Sequence, residues 1–533
     1  MMAQPITVLL VLYAAYLYFI RSGPVPTIET KLFGLNAPSP VIVKGFTAPG
    51  FERLKPLMEQ GFRDGVDLGS QFAVYVDGQL VVDLYGGHTS RARTNEYNAD
   101  TLQQVFSSSK CVTSMVFSHL LNTGRLHLAD PVAHYWPQFG QGGKQNVTVR
   151  DLLRHRAGVA WLDKVRVPRP EHLLDLDALA QRISNQGHNF GGKRVSAYHA
   201  VTRGWFLNEL ARRVTGGKTV RDIMYEEILP MINGEMHPDA HAMHYAPRES
   251  STQSSPFQFH YGIPDEPTAL SEAVRKRMTQ LDGPSLVQMM FQILVPRPLL
   301  RALGIYPIPF ALIKAYLLPG SIPNKALLSS GPDFTGRNGD FPFMYNDPTL
   351  RRTQSPSFNG LTNARSLARL VEHFRRSQLN TKNSTRVGLV GSKLFEQLMH
   401  VESAEWDVVI ENPLAFTENG MGRFDHGFGA YADETRVAMD TTFYGWIGAG
   451  GSLALFERHL GISMSFTMCF TLLQSVGDER SWRLIEEVVR VAKALKKAKA
   501  ATATGGESVP SAQDASANQV ARTVSFSSHG HEL

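Results

Sequence analysis

Alternation of apolar and polar positions is clearest at residues 72–85, FAVYVDGQLVVDLY, where two short β-runs flank Asp77-Gly78. An Asp-Gly pair between alternating runs is the strongest short-range hairpin signal, because both residues accept the positive φ of a two-residue turn. The pattern returns near the other end, where 451–457 (GSLALFE) and 461–470 (GISMSFTMCF) flank a second short turn. Outside both hairpins the period becomes helical. Phe51 to Phe62 precedes the first, and 478–499 follows the second with Trp482, Ile485, Val488, Val489, Ala492 and Leu495 at helical spacing. Lys493, Lys496, Lys497 and Lys499 gather at the end of that segment, where the helix dipole favours cations. Between the hairpins, roughly 100–420 reads as helices and long loops, with no repeat of solenoid or propeller period. The pattern predicts an α+β fold: an antiparallel sheet made by both ends of the chain and covered by helices, with a helical region inserted between the early and late strands.

Three segments break this pattern. Residues 1–20 carry no charged side chain, and 6–20 (ITVLLVLYAAYLYFI) are almost wholly apolar up to Arg21. That just reaches the ~17–20 residues a membrane-spanning helix needs. It lacks the positive n-region and small-residue cleavage site of a secretory signal, so residues 1–22 are expected to be an uncleaved, single-pass signal anchor. Arg21 and Lys31 after the segment favour a cytosolic body. The terminal sequence HGHEL is an imperfect version of a lumenal retention signal and points the other way. The expected compartment is the endoplasmic reticulum or another endomembrane, with mitochondria as the alternative. Residues 285–323 are strongly apolar but interrupted by Pro296, Pro298, Pro307, Pro309, Pro319 and Pro323, so no run spans a bilayer. They fit cap helices packed on the body, or an apolar wall beside a substrate pocket. Residues 500–533 are rich in Ala, Ser, Thr and Gly and read as a disordered tail.

Composition narrows the function classes. The chain has 533 residues, 43% hydrophobic and 19% charged, enough for a large core. Its 54 Lys and Arg against 48 Asp and Glu give a net charge of +6, mixed along the chain rather than gathered into a nucleic-acid-binding face. Cys111 and Cys469 form neither a zinc pattern nor a redox pair. His237, His241 and His244 have ligand-like spacing, but Pro238 interrupts it and no further ligand is evident, so no metal or other cofactor is expected. Asn146-Val-Thr and Asn383-Ser-Thr are sequons at a chance frequency.

No G-x-S-x-G elbow, P-loop, Rossmann glycine fingerprint or HExxH occurs. The informative stretch is 105–126, VFSSSKCVTSMVFSHLLNTGRL, which reads as an amphipathic helix closed by Gly124. Ser107 and Lys110 stand three apart at its start, on one face, with Ser107 in the positive field of the helix N-terminus. A serine hydroxyl needs a base. A lysine, whose ordinary pKa is ~10.4, serves only if burial or a cationic neighbour lowers that value. Alone, S-x-x-K carries little weight, since a helix cap followed by an exposed lysine looks the same.

Its context carries more. After the first hairpin come QQVFSSSK (103–110), VTVRDLLRHRAGVAWLD (147–163), VSAYHAVTRGWFLNELARRVTGG (195–217), SPSFNGLTNARSLARL (355–370) and FYGWIGAGGSLALFE (443–457). In this order they resemble the serine β-lactamase and penicillin-binding-protein superfamily, in particular its class C-like branch with the family VIII carboxylesterases. The resemblance spans roughly residues 45–495. It implies a β-lactamase/transpeptidase-like fold in one catalytic body, 45–499, with a helical or cap insertion at about 236–345. It also implies Ser107 as nucleophile, Lys110 as buried base or activator, and Tyr198 as proton shuttle. The Lys110 cation would favour phenolate character in Tyr198, and the pair would titrate together. Trp446-Ile447-Gly448 stands where relatives have K-T-G or H-x-G, and the Ala449 N–H would join that of Ser107 in an oxyanion hole. Two departures bear on substrate. Tyr198-His199-Ala200 lacks the asparagine that β-lactamases place two residues after the tyrosine, and the third motif has no lysine for a β-lactam carboxylate. The implied activity is therefore that of a serine carboxylesterase on a neutral or apolar ester. A peptidase or amidase using the same residues and a catalytically silent scaffold remain open. The expected partners are a small-molecule ester or amide and, through 1–22, a membrane, with no nucleic acid.

Overall fold

The computed structural model describes residues 41–234, 257–264, 267–283, 291, 293–302, 308–329, 343–380, 388–425, 441–470 and 479–504. The expected anchor at 1–22, the tail beyond Thr504, His237, His241, His244 and Asn383 lie outside the described residues. Among the described residues, no helix is long and apolar enough to cross a membrane.

The sheet has nine strands: β1 (Lys44–Thr47), β2 (Gly69–Val76), β3 (Gln79–Gly87), and β7 to β12 (Glu405–Asp407, Asn412–Phe416, Gly422–Asp425, Thr442–Ile447, Leu453–Glu457, Ile462–Met468). They lie in the order β1-β3-β2-β12-β11-β10-β9-β8-β7, each antiparallel to its neighbour. Asp77 and Gly78 take φ of 50° and 89°, as the two-residue turn between β2 and β3 requires. β12 from the end of the chain pairs with β2 from its beginning, so neither terminal half completes the sheet alone.

Alternation assigns the two faces. Phe72 and Val74 of β2, with Ile462, Met464 and Phe466 of β12, share a core with helix α1 (Leu54–Arg63) and helix α7 (Glu479–Thr504). The last helix thus runs past Lys499, into the stretch expected to begin the tail. Ala73 and Tyr75 point the other way, onto helix α6 (Ala364–Arg375). Ser463 of β12 also faces α6, donating to Glu372 at 2.7 Å.

The second, larger core is mainly helical and contains α2 (Ser109–Asn122) and α4 (Thr202–Thr215). The sheet reaches it through Trp446 and Tyr444 of β10 and through Ala454 and Phe456 of β11. Contrary to the amphipathic reading, α2 is buried around its whole circumference from Ser109 to Leu120. Some of its polar side chains bond within the helix, Thr113 donating to the Ser109 carbonyl (3.0 Å) and Ser118 to the Ser114 carbonyl (2.7 Å), while Ser109 and Ser114 accept from Gly360 and Arg203 outside it. The middle of the chain is also less purely helical than its pattern suggested. β4 (Gln103–Gln104), β6 (Gly360–Thr362) and β5 (Phe259–Tyr261) form a small antiparallel sheet, and β7 to β9 begin at Glu405. Within the apolar 285–323 stretch, helix α5 (Phe310–Leu317) is tied to the β7–β8 turn by Lys314 and Glu411 at 2.7 Å.

Candidate active site

The turn Phe106–Ser108 leads directly into α2. Three consecutive serines, Ser107 and Ser108 of the turn and Ser109 opening the helix, follow Phe106, and two of them are pinned. Ser108 Oγ lies 3.1 Å from Ser452 Oγ, which donates to the Val105 carbonyl at 2.8 Å, and Ser109 Oγ accepts the Gly360 N–H at 2.9 Å. Phe106, just before Ser107, is held at φ 43°, a strained value for a bulky residue, and its ring packs edge-on against Tyr345. Ser107 is the half-buried member, and its hydroxyl meets Lys110 and Tyr198 instead.

Lys110 lies one turn further on and is fully buried. Its Nζ is 3.1 Å from Ser107 Oγ, and it donates to the carbonyls of Ala200 (2.6 Å) and Ser357 (2.9 Å). Burial, and after it the Arg203 charge, hold the amine well below the ordinary lysine range. A neutral amine has two hydrogens for the two carbonyls and one lone pair, which then points at Ser107.

Tyr198 closes the constellation from the loop before α4, its O–H donating to Ser107 Oγ at 2.8 Å. Burial pushes its phenol up to about 12, against the hydrogen bonds with Ser107 and Trp446 and the Arg203 charge. This corrects the expectation of a lysine cation drawing Tyr198 towards phenolate. Burial favours the uncharged form of both groups, lowering the lysine and raising the tyrosine, and the two meet through Ser107. The loop is fixed by the buried Asp407 carboxylate, which accepts from Ser196 Oγ (3.2 Å) and from the N–H groups of Val409 (3.0 Å) and Ile410 (2.9 Å). His155, at φ 60° after helix α3 (Val149–Leu153), accepts the His199 N–H at 2.8 Å and packs on the Tyr198 ring. Burial keeps both imidazoles neutral, with His199 lowered to about 3.

On strand β10 the Trp446 ring stacks on Tyr198 at 5.9 Å and 22°. Gly448 passes so close to the serine turn that an added Cβ would lie 2.5 Å from the Val105 carbonyl and 2.2 Å from Ser452 Oγ. Its N–H is committed to the Ser452 carbonyl at 2.7 Å. Ala449, the next residue, is half-buried in the turn just past the end of β10.

The structure therefore gathers Ser107, Lys110 and Tyr198 by direct contact, and brings Trp446 and Gly448 against them. Sequence reasoning missed the two backbone carbonyls that hold Lys110, which have no side-chain signature, and it missed Asp407 and Arg203. Arg203 left one trace: a lone cation in the apolar run of 201–207. Among the described residues, no cluster of His, Cys, Asp and Glu could hold a metal.

A family model described as Beta-lactamase matches residues 56–487. Esterase/beta-lactamase LipL of Mycobacterium tuberculosis (strain ATCC 25618 / H37Rv) is 41% identical over 162 residues, 30% of this chain and 36% of that protein. Mitochondrial serine beta-lactamase-like protein LACTB of Mus musculus is 29% identical over 134 residues, 24% of either chain. These matches thus span about a third and a quarter of the relatives' lengths. A solved structure described as a family VIII carboxylesterase superposes with a TM-score of 0.62 at 23% identity, over 84% of this chain and 99% of that one. A penicillin-binding protein homolog from Caulobacter crescentus gives 0.59 at 24%, over 84% and 99%. At such identities, the likeness to solved structures establishes the fold.

Proposed function

This chain belongs to the beta-lactamase family, and from that premise we propose that it is a serine hydrolase, a carboxylesterase acting on neutral or apolar esters through an acyl-enzyme. The observation that carries the reading is Ser107 Oγ between the Tyr198 hydroxyl (2.8 Å) and Lys110 Nζ (3.1 Å), with the lysine's other contacts both to carbonyl oxygens. Ser107 gives its proton to the neutral amine as Oγ attacks the ester carbonyl carbon. The carbonyl π bond becomes an oxyanion, which the N–H groups of Ser107 and Ala449 would stabilise. Collapse expels the alkoxide, which takes a proton relayed from Lys110 through the Tyr198 hydroxyl, leaving the acyl group on Ser107. Water, activated by the same amine, then cleaves the acyl-enzyme.

Three features support an ester over a β-lactam or a peptide. Ala200 contributes a backbone oxygen to Lys110 and no side-chain amide to a substrate. Trp446 and Gly448 supply no cation for a carboxylate. Trp161, Phe190, Ile322, Leu327 and Val408 form an apolar cluster against Tyr198, suited to an acyl chain. The test compares p-nitrophenyl esters of graded acyl length with the matching anilides and a β-lactam, using Ser107→Ala as control. Ester turnover that exceeds the others and vanishes in Ser107→Ala is expected. Turnover that survives in Ser107→Ala, or a preference for anilide or β-lactam, sinks the proposal.

A further inference from the structure

Arg203 is among the largest fully buried side chains of the molecule. Its Nη2 donates to Ser114 Oγ at 3.0 Å. Ser114 stands one helical turn beyond Lys110 on α2. Nε and Nη1 have no hydrogen-bond partner, and among the described residues no carboxylate lies within ion-pair distance of the guanidinium. Two other buried arginines are ion-paired, Arg154 with Glu418 and Arg375 with Glu372, while buried Arg351 is held by carbonyl and amide oxygens. An uncompensated buried cation is costly, and replacing such a group by an apolar one is often neutral or stabilising. Its position is informative. Lys110 Nζ lies 5.0 Å from the Tyr198 ring centroid, Arg203 Cζ lies 5.9 Å from the Trp446 ring, and the two rings stack on each other. Each of the two basic groups lies against one ring of a single stacked aromatic pair.

We propose that Arg203 is a positioning residue of the Ser107 site, a deliberately unpaired cation whose charge disfavours a second cation at Lys110 and keeps the amine free to take the Ser107 proton. The inference rests on the serine-hydrolase reading for its catalytic meaning. The titratable groups around this pair are Cys111 on α2, Tyr198 and His199 before α4, His155 after α3 and Tyr261 on β5. Burial keeps each of them in its neutral form at neutral pH, and the Asp407 carboxylate that holds the Tyr198 loop also acts on Tyr198, so Arg203 is the one fixed cation among them. Burial alone would already favour a neutral lysine, and like-charge repulsion from Arg203 adds to it in the same direction.

The experiment compares Arg203→Met and Arg203→Lys with the wild type. One readout is the pH profile of ester kcat/KM. The other is the titration midpoint of the Lys110 carbon resonance in [ε-13C]lysine-labelled protein, assigned by its loss in Lys110→Ala. In Arg203→Met, both the acidic limb and the midpoint should rise by about one pH unit or more, with rate lost at low pH and regained as pH rises. Arg203→Lys, buried without a carboxylate, should lose its own proton as Lys110 does and so move both readouts in the same direction as Arg203→Met. If Arg203→Met does not fold, Arg203→Gln, which retains a donor for Ser114, carries the same expectation. An unmoved midpoint in a folded neutral variant, or a uniform fall in rate at every pH, overturns the inference. A midpoint that moves in a protein with no Ser107-dependent hydrolysis would leave the electrostatic role standing and remove the proposed function instead.

Discussion

At Lys110, three short contacts and complete burial fix the state of one nitrogen, and the chemistry depends on that state. A lysine held below its ordinary range is uncharged at higher pH and charged at lower pH. The acylation rate should therefore rise with pH through the lowered Lys110 pKa and level off above it. Tyr198, pushed up to about 12, should add no phenolate step below that. Lys110→Arg places a permanent cation there and removes the base, since a guanidinium does not deprotonate. A fall in kcat/KM of about 10²–10⁴ is expected, as for loss of a general base, and near-wild-type turnover would refute the role. Ser107, Lys110 and Tyr198 were legible in the sequence because S-x-x-K is a local helical spacing and the tyrosine segment follows in family order. Arg203 was not, because whether an arginine on a helix is buried without a partner depends on what packs over it.

Element by element, the site is a turn pressed between a helix and a strand. The serine turn is bound to the 448–452 bend by Ser108, Ser452 and the Val105 carbonyl. Gly448→Ala would drive a methyl into both Ser452 Oγ and that carbonyl, which is backbone and cannot swing away. We expect a stability loss of about 1–3 kcal/mol, typical of overpacking, together with a lower kcat as Ser107 shifts. Denaturant melts and ester kinetics on one preparation would read both, and an unchanged kcat would argue against tight coupling of strand and nucleophile. Both hairpins and their flanking helices were legible from periodicity alone. Helix α2 was misread because its many small polar residues look solvent-facing in sequence, whereas in the fold they bond to its own carbonyls and to Gly360 and Arg203 packed over it. β4 to β6 are two or three residues long, too short for an alternating pattern to show.

Across the whole molecule, an α+β body is closed by pairing β12 with β2, and partly buried ionic ties link its helices. One of them joins the C-terminal end of α2 to the following helices, where Arg125 and His119 donate to Glu227. These hydrogen bonds lower the Glu227 carboxyl to about 2 from an ordinary 4.5. A depressed carboxylate contributes stability that is present above the unfolded pKa and is lost as pH falls through the folded one. Glu227→Gln should thus be less stable than wild type at pH 7, with the gap narrowing below about pH 4.5 and closing near 2. Urea midpoints across that range check it, and a gap independent of pH would contradict it. The central claim is more direct: Ser107 becomes acylated. The decisive measurement is rapid-quench mass spectrometry of the protein mixed with an activated ester, followed by peptide mapping. The account predicts a transient acyl mass on the peptide carrying Ser107 that is absent in Ser107→Ala. No adduct, or an adduct on another residue that persists in Ser107→Ala, would contradict it.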